Sequence, residues 1–145
     1  MLGDVLDGAE RVGSNPDITM WDELLCLRIL FELKEEAHRH GGNIVWVLGN
    51  HDIMAPLGQN MYLNTTQAKG YGERGRQFWF KPGSGILAYY MARCSIICGV
   101  FGQLLVSHAG VLPSHLPHCI NDTKSGATYS MRLWLIRGYT TPIFR

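Results

Sequence analysis

The sequence predicts an α/β fold, and three observations indicate it. A helical pattern over 18–40 leads through two glycines into the apolar run 44–48. Two further apolar runs, 94–100 and 103–107, follow later, and the second leads directly into His108. Glycine-flanked polar residues come immediately after apolar runs, as they do where a ligand site is built at the ends of strands.

The composition is that of a globular chain rather than a disordered one. The 145 residues match about one domain, and 46% of them are hydrophobic, enough for a core. Charged residues make up only 17% and glycine contributes 17 residues, which favours buried strands and tight turns. The net charge of +1 gives no bulk attraction to nucleic acid. No apolar run suits a membrane span and no secretory signal begins the sequence, so we expect a cytoplasmic protein that binds neither nucleic acid nor membrane.

The helix predicted over 18–40 is amphipathic. Its apolar residues recur every three to four positions: Met20, Leu24, Leu27, Leu30 and Phe31. Its charged residues, Glu23 among them, are expected to face solvent. Thr19 lies three residues before Asp22, which is typical of a capping box, and Gly41-Gly42 ends the pattern.

The run 44–48 has no polar alternation, which is typical of a strand covered on both faces. The runs 94–100 and 103–107 are predicted to be two strands joined tightly through Phe101-Gly102. A strand, a long helix and a second strand would form a parallel crossover unit, although only Met1 and Leu2 precede Gly3-Asp4.

The remaining stretches give weaker patterns. Loops with one or two short helices are expected over 54–85, and a helical turn from Pro113, while the type of 131–139 stays open. Arg74 and Arg76 are expected in a solvated turn rather than in a grip for phosphate or nucleic acid. The four cysteines form no Cys-x-x-Cys pair, so we expect reduced, mostly buried thiols.

Three polar clusters contain the candidate functional residues of the sequence. They are Gly3-Asp4-Val5-Leu6-Asp7, Gly49-Asn50-His51-Asp52 and Ser107-His108-Ala109-Gly110. Carboxylate, amide and imidazole groups are ligands for hard to borderline metal ions, and a carboxylate can bridge two cations. Each cluster alone is also compatible with a hydrogen-bonded turn, but their order and their position after apolar runs favour a site.

This order resembles the calcineurin-like metallophosphoesterase superfamily. Two further segments are similar to its bacterial-type (Shewanella-like) phosphoprotein phosphatases: Phe80-Lys81-Pro82-Gly83-Ser84-Gly85 and the run 104–111. Trp134, Arg137, Gly138 and Tyr139 are similar to that branch's later Trp-x-Arg segment, with one extra residue. The resemblance covers most of the chain and implies an α-β-β-α sandwich of two mixed sheets flanked by helices.

The resemblance also implies a role for individual residues. Asp4 would bridge two metal ions, and Asn50 and His108 would complete the protein ligands of the second metal. His51 would be the general acid, and Asp7 would orient it by accepting its ring N–H. Arg11 and Arg137 are the candidates for binding the substrate phosphate. The metals would be manganese, iron or zinc.

The sequence departs from the family's pattern at three places. The opening Asp-x-His motif, which supplies the first metal's own ligands, is absent before Gly3, so one metal site lacks its ligands. Gly8 stands where the family has an arginine, which is why Arg11 is considered as a substitute. The last metal histidine is missing, because His115 and His118 follow His108 too soon. Residues 1–145 are therefore expected to be one incomplete domain, truncated at both ends.

The resemblance predicts a hydrolase that cleaves phosphate monoesters. The resemblance implies a Ser/Thr-type phosphoprotein phosphatase, in which a hydroxide bridging the metals attacks phosphorus and His51 protonates the leaving oxygen. Two alternatives stay open. The chain could be an impaired fragment or pseudoenzyme that acts as a binding module, or the substrate could be a nucleotide or another small phosphate ester.

Overall fold

The computed structural model describes residues 3–7, 19–72, 74–117 and 127–138. Its helices are α1 (Met20–Arg39), α2 (Asn50–Met54), α3 (Thr65–Gly70), α4 (Gly75–Phe80), α5 (Ile86–Cys94) and α6 (Ala127–Arg137). Its strands are β1 (Trp46–Val47), β2 (Ser95–Ile96), β3 (Cys98–Phe101) and β4 (Leu104–Ser107), followed by a 3₁₀ turn at Pro113–His115. Helix and strand are therefore mixed along the chain, as an α/β protein requires.

Helix α1 begins and ends where the sequence predicts. The backbone N–H of Thr19 donates to Asp22 Oδ2 at 2.7 Å, which caps the first turn. Gly41, with φ of +75°, turns the chain out of the helix, and Gly42 N donates back to Ala37 O at 2.8 Å. Met20 and Leu27 are buried in the core, and the rest of the apolar stripe packs against it: Leu24, Leu30 and Phe31.

The predicted buried strand is present, although its paired part is short. β1 pairs in parallel with β2, and the ladder is extended by Leu48 N, which donates to Ile96 O at 2.8 Å. Trp46, Val47 and Leu48 are all buried, which confirms that this run is covered on both faces. The carboxyl end of β1, at Val47, lies two residues before Gly49.

The prediction of one strand over 94–100 is wrong in its boundaries. Helix α5 continues to Cys94, and the strand is divided between β2 and β3. Ile97 interrupts it, because its backbone N–H donates to Thr128 Oγ1 at 3.1 Å rather than to a neighbouring strand. The chain can therefore leave the parallel pair and enter the antiparallel pair of β3 with β4.

The hairpin of β3 and β4 has the predicted tight connection, with Phe101 opposite Leu104 and Gly102 at φ of +62°. Helices α3 and α4 are the short helices expected within 54–85, and the stretch of undetermined type begins inside helix α6. Helix α6 packs against α5, and α5 in turn packs against α1 and α4. The shared core contains apolar residues from these helices and from β1.

The cysteines differ from the expectation of reduced, buried thiols. Cys26 and Cys94 are free, but Cys26 is exposed. Cys98 is disulfide-bonded, so the expectation is wrong for this residue. Within the described ranges, no helix combines the length and apolar character needed to cross a membrane.

Candidate active site

The first polar cluster, residues 3–7, is held in place by one buried carboxylate. Asp52, at the third position of α2, accepts backbone N–H groups from Asp4 and Val5 at 2.8 Å and from Leu6 at 3.0 Å. It also accepts Gly49 N at 2.9 Å and the indole N–H of Trp46 at 3.2 Å. These five donors connect the loop 3–7 to the end of β1 and the start of α2.

The Asp52 carboxylate is fully buried. Burial raises the pKa of this carboxyl, whereas the backbone N–H donors of Gly49, Leu6, Val5 and Asp4 act in the opposite direction by stabilising the charged form. A buried carboxylate that accepts five N–H groups has a structural role. Because Asp52 is the last residue of Gly49-Asn50-His51-Asp52, it brings this motif against the loop 3–7.

Asp4 and His108 form the first pair of predicted site residues. His108 Nε2 lies 3.1 Å from Asp4 Oδ2, and the backbone N–H of His51 donates to Asp4 Oδ1, also at 3.1 Å. Asp4 has φ of +53°, in the left-handed region that a non-glycine residue seldom adopts. A Cβ added to Gly49 would collide with Asp4 Oδ1, so glycine is required there for the close approach.

The Asp4–His108 pair fits a divalent cation in its donor types and its spacing. Two adjacent ligands of one octahedral cation, each about 2.1 Å from it, lie about 3 Å apart. Asn50 is exposed at the first position of α2, one residue from the amide that binds Asp4. Across residues 3–7, 19–72, 74–117 and 127–138, however, no group of three or more His, Cys, Asp or Glu is placed to hold a metal ion.

Asp7 and His51 form the second pair. The Asp7 side chain is fully buried, that of His51 is 12% exposed, and His51 Nδ1 lies 3.4 Å from Asp7 Oδ2. Neither atom has a hydrogen-bond partner within the described part of the chain. The distance exceeds that of a formed hydrogen bond, as is common for catalytic pairs without a bound substrate. The arrangement suits a histidine whose Nδ1 is oriented by a carboxylate.

The other oxygen of Asp7 belongs to a buried ionic cluster. Arg76 Nη1 lies 2.6 Å from Asp7 Oδ1, and Arg76 Nη2 lies 2.5 Å from Glu23 Oε1. Glu23 Oε1 also accepts the backbone N–H of Asp7 at 3.1 Å, and the hydroxyl of Tyr71 donates to Glu23 Oε2. Burial, reinforced by the charge of Glu23, raises the pKa of the Tyr71 phenol.

This cluster corrects two sequence predictions. Arg76 was expected in a solvated turn and Glu23 on the wet face of α1, yet their exposed fractions are 1% and 5%. Each is buried because it neutralises the other, and Arg76 also neutralises Asp7. Arg74, by contrast, is exposed as predicted and stacks over Phe78.

The remaining predicted residues either lie outside the described residues or stand apart at exposed positions. Arg11 and His118 lie outside the described residues. Arg137 is exposed at the end of α6, where its backbone lies against Gly83. His115 is exposed in the 3₁₀ turn, as expected for a surface histidine. The phosphate-binding roles of Arg11 and Arg137 therefore stay predictions.

The sequence contained a signal for the buried cluster that motif reasoning missed. Glu23 lies three residues after Met20 and four before Leu27, so it falls on the buried stripe of α1 rather than on its wet face. A buried acid requires a cationic partner, which directs attention to an arginine elsewhere in the chain. Nothing in the local sequence identifies that partner as Arg76.

Comparison with known proteins gives one partial match. No protein-family model and no solved structure matches the chain. It is 33% identical over 98 residues to Uncharacterized protein R398 of Acanthamoeba polyphaga mimivirus. The match covers 59% of this chain and 38% of the viral protein, so the chain spans well under half of that relative's length. The viral protein's name assigns it no activity.

Proposed function

We propose that this chain carries part of the active site of a metal-dependent phosphomonoesterase with a calcineurin-like fold. The observation that supports it is the pairing of Asp7 with His51 and of Asp4 with His108. One loop, residues 3–7, supplies a carboxylate to each pair. A proton donor and a pair of cation ligands are thus held on one short segment, as in-line hydrolysis of a phosphate ester requires.

His51 is the proton donor in this proposal. Asp7 faces its Nδ1, so Nε2 is the ring nitrogen left to give a proton. The protonated Nε2 donates to the leaving oxygen as the bond between phosphorus and that oxygen breaks. A water oxygen forms the new bond to phosphorus, and the products are an alcohol and inorganic phosphate. The carboxylate of Asp7 stabilises the imidazolium before transfer and keeps the ring oriented afterwards.

Asp4 and His108 would hold one cation, with Asn50 as the third protein ligand. When bound, a divalent cation supplies Lewis-acid stabilisation of the charge that develops on the phosphoryl oxygens. Manganese, iron and zinc all accept this mixed oxygen and nitrogen donor set. The first metal implied by the resemblance, whose own ligands the Asp-x-His motif would supply, has no candidate ligands of its own among the described residues.

The substrate in this proposal is a phosphorylated protein, or alternatively a nucleotide or other small phosphate ester. His51 is 12% exposed and its ring contacts that of Tyr62 at a centroid distance of 4.5 Å. Tyr62 is itself partly exposed. The proposed donor is therefore reachable from solvent beside an aromatic side chain, which is compatible with either class of substrate.

Hydrolysis of p-nitrophenyl phosphate with added manganese tests the proposal. We expect slow, manganese-dependent turnover that falls about 100- to 10,000-fold in His51→Ala, since this is the usual contribution of a general acid. His38→Ala is the matched control, because His38 is exposed at the end of α1. Equal rates for His51→Ala and His38→Ala, with the metal bound, would contradict the role of His51.

A non-catalytic binding module is the second candidate. The observation that favours it is that only two of the three predicted ligands are brought into contact, while Asn50 is exposed. Mass spectrometry of the chain at micromolar manganese distinguishes the two candidates. A chain that binds no metal would favour the module, and one metal ion per chain would favour the phosphomonoesterase.

A further inference from the structure

Arg76 is a buried cation beside the proposed site, with an exposed fraction of only 1%. Its planar guanidinium joins Asp7 of the loop to Glu23 of α1. Its own position is set by α4, where it also lies over the ring of Phe80 at 5.3 Å. Three separate segments of the chain therefore meet at one cation.

We infer that Arg76 is a positioning residue that holds the Asp7 carboxylate in the orientation that presents one of its oxygens to His51. This role rests on the proposed function, because it matters for hydrolysis only if His51 donates the proton. Arg76 occupies Oδ1 of Asp7, and Oδ2 is the oxygen that remains for Nδ1 of the imidazole.

The backbone of Asp7 is restrained by the same pair of residues. Its N–H donates to Glu23 Oε1, the oxygen that Arg76 Nη2 also contacts. Asp7 has φ of +60°, a left-handed conformation that a non-glycine residue holds only when its surroundings fix it. Arg76 and Glu23 thus fix both the main chain and the carboxylate of Asp7, and rotation of that carboxylate would cost Arg76 its contact.

The consequence is a defined tautomer of His51. Which nitrogen of a neutral imidazole carries the proton is decided by the group that accepts it. With Oδ2 of Asp7 fixed beside Nδ1, the neutral ring is expected to carry its proton on Nδ1 and to leave Nε2 without one. Without Arg76, Asp7 can rotate, and the preference for Nδ1–H is lost.

The ratio of the two tautomers can be measured without hydrolysis. Long-range imidazole ¹H–¹⁵N correlation spectra of the metal-free chain, at a pH well above the usual histidine pKa of about 6.5, report it directly. His51→Gln assigns the His51 signals by their absence. We expect mainly Nδ1–H in the wild-type chain, because the nearby carboxylate attracts the ring proton electrostatically, and a fall of about fivefold in the ratio of Nδ1–H to Nε2–H in Arg76→Gln.

Tyr71→Phe is the matched control, because it removes a hydrogen bond from Glu23 but leaves Arg76 in place. We expect it to retain the wild-type ratio, and Arg76→Lys, which keeps the charge, to lie between wild type and Arg76→Gln. Equal losses in Tyr71→Phe and Arg76→Gln would overturn the inference, since the effect would then be general loosening of the cluster. A wild-type ratio in folded Arg76→Gln would overturn it as well.

Arg76→Gln leaves two buried carboxylates without a cation, so it can fail to fold. The double variant Glu23→Gln, Arg76→Gln removes one positive and one negative charge together and keeps the test available. We expect it to lose the Nδ1–H preference, and retention of that preference would refute the inference. Hydrolysis by the same proteins separates the two proposals: a tautomer change in a chain that binds metal but has no turnover contradicts the proposed function alone.

Discussion

Two buried carboxylates, Asp52 beside the loop 3–7 and Asp7 within it, are satisfied to different degrees. Asp52 accepts five N–H groups. Asp7 directs one oxygen to Arg76, while the other faces His51 at 3.4 Å with no hydrogen bond among the described residues. The difference teaches that a satisfied carboxylate builds the scaffold, whereas an incompletely satisfied one is available for chemistry.

The largest effect on stability is expected for Asp52→Asn. An amide cannot accept on both sides, so its NH₂ group would oppose backbone donors in a buried position. We expect the free energy of unfolding to fall by about 3 kcal/mol or more, the scale of breaking a buried charged network. Urea denaturation measures it, with Glu32→Gln on the exposed face of α1 as the control that should leave the midpoint unchanged. A loss under about 1 kcal/mol would show that Asp52 does not hold the loop.

The opposite pattern is expected for Asp7→Asn. Asn can still accept from Arg76, so the loss of stability should be smaller than for Asp52→Asn. Its NH₂ group can no longer accept the N–H of His51 Nδ1, so we expect turnover to fall about 100-fold or more where turnover is measurable. Similar losses of stability in both variants, with no extra loss of turnover in Asp7→Asn, would remove the contrast between the two carboxylates.

A smaller effect is expected at alkaline pH from Tyr71. Because its folded-state pKa is raised above the unfolded value of about 10, the unfolded chain ionises first, and stability falls as the pH rises above about 10. One phenol contributes at most about 1.4 kcal/mol per pH unit to that slope. Urea denaturation at several alkaline pH values should therefore give a shallower decline for Tyr71→Phe. Parallel declines would indicate that Tyr71 ionises as easily in the folded chain.

Much of the fold follows from the sequence because local signals agree there. The capping residues and the two glycines fix α1, and the uniformly apolar run 44–48 could only be a covered strand. The division of 94–100 could not be foreseen, because it depends on Thr128, about 30 residues away, binding the amide of Ile97. A contact of that range leaves no periodic signal in either segment.

The sequence motifs predicted the residues of the candidate site but not the buried residues that hold them in position. Asp4 and Asp7 lie beside glycines, His51 lies in the first turn of α2, and His108 directly follows β4. The structure brings these four side chains together in two pairs. Arg76 was missed because its partners lie 53 and 69 residues away in sequence. Arg76 is buried because it pairs with distant carboxylates. Its local sequence is polar and therefore predicts exposure to solvent.

Manganese binding tests the central claim most directly, namely that loop 3–7 presents Asp4 to a cation and Asp7 to a histidine. Calorimetric titration of the chain and its variants with manganese measures the affinity for the cation. It therefore separates the role of Asp4 from that of Asp7. We expect Asp4→Asn and His108→Ala to weaken manganese binding at least about 100-fold, because each removes a group that contacts the cation directly. We expect Asp7→Asn to leave the affinity for manganese within about threefold of the wild-type value. Equal affinities of Asp4→Asn and Asp7→Asn for manganese would contradict the assignment of Asp4 to the cation and of Asp7 to the histidine.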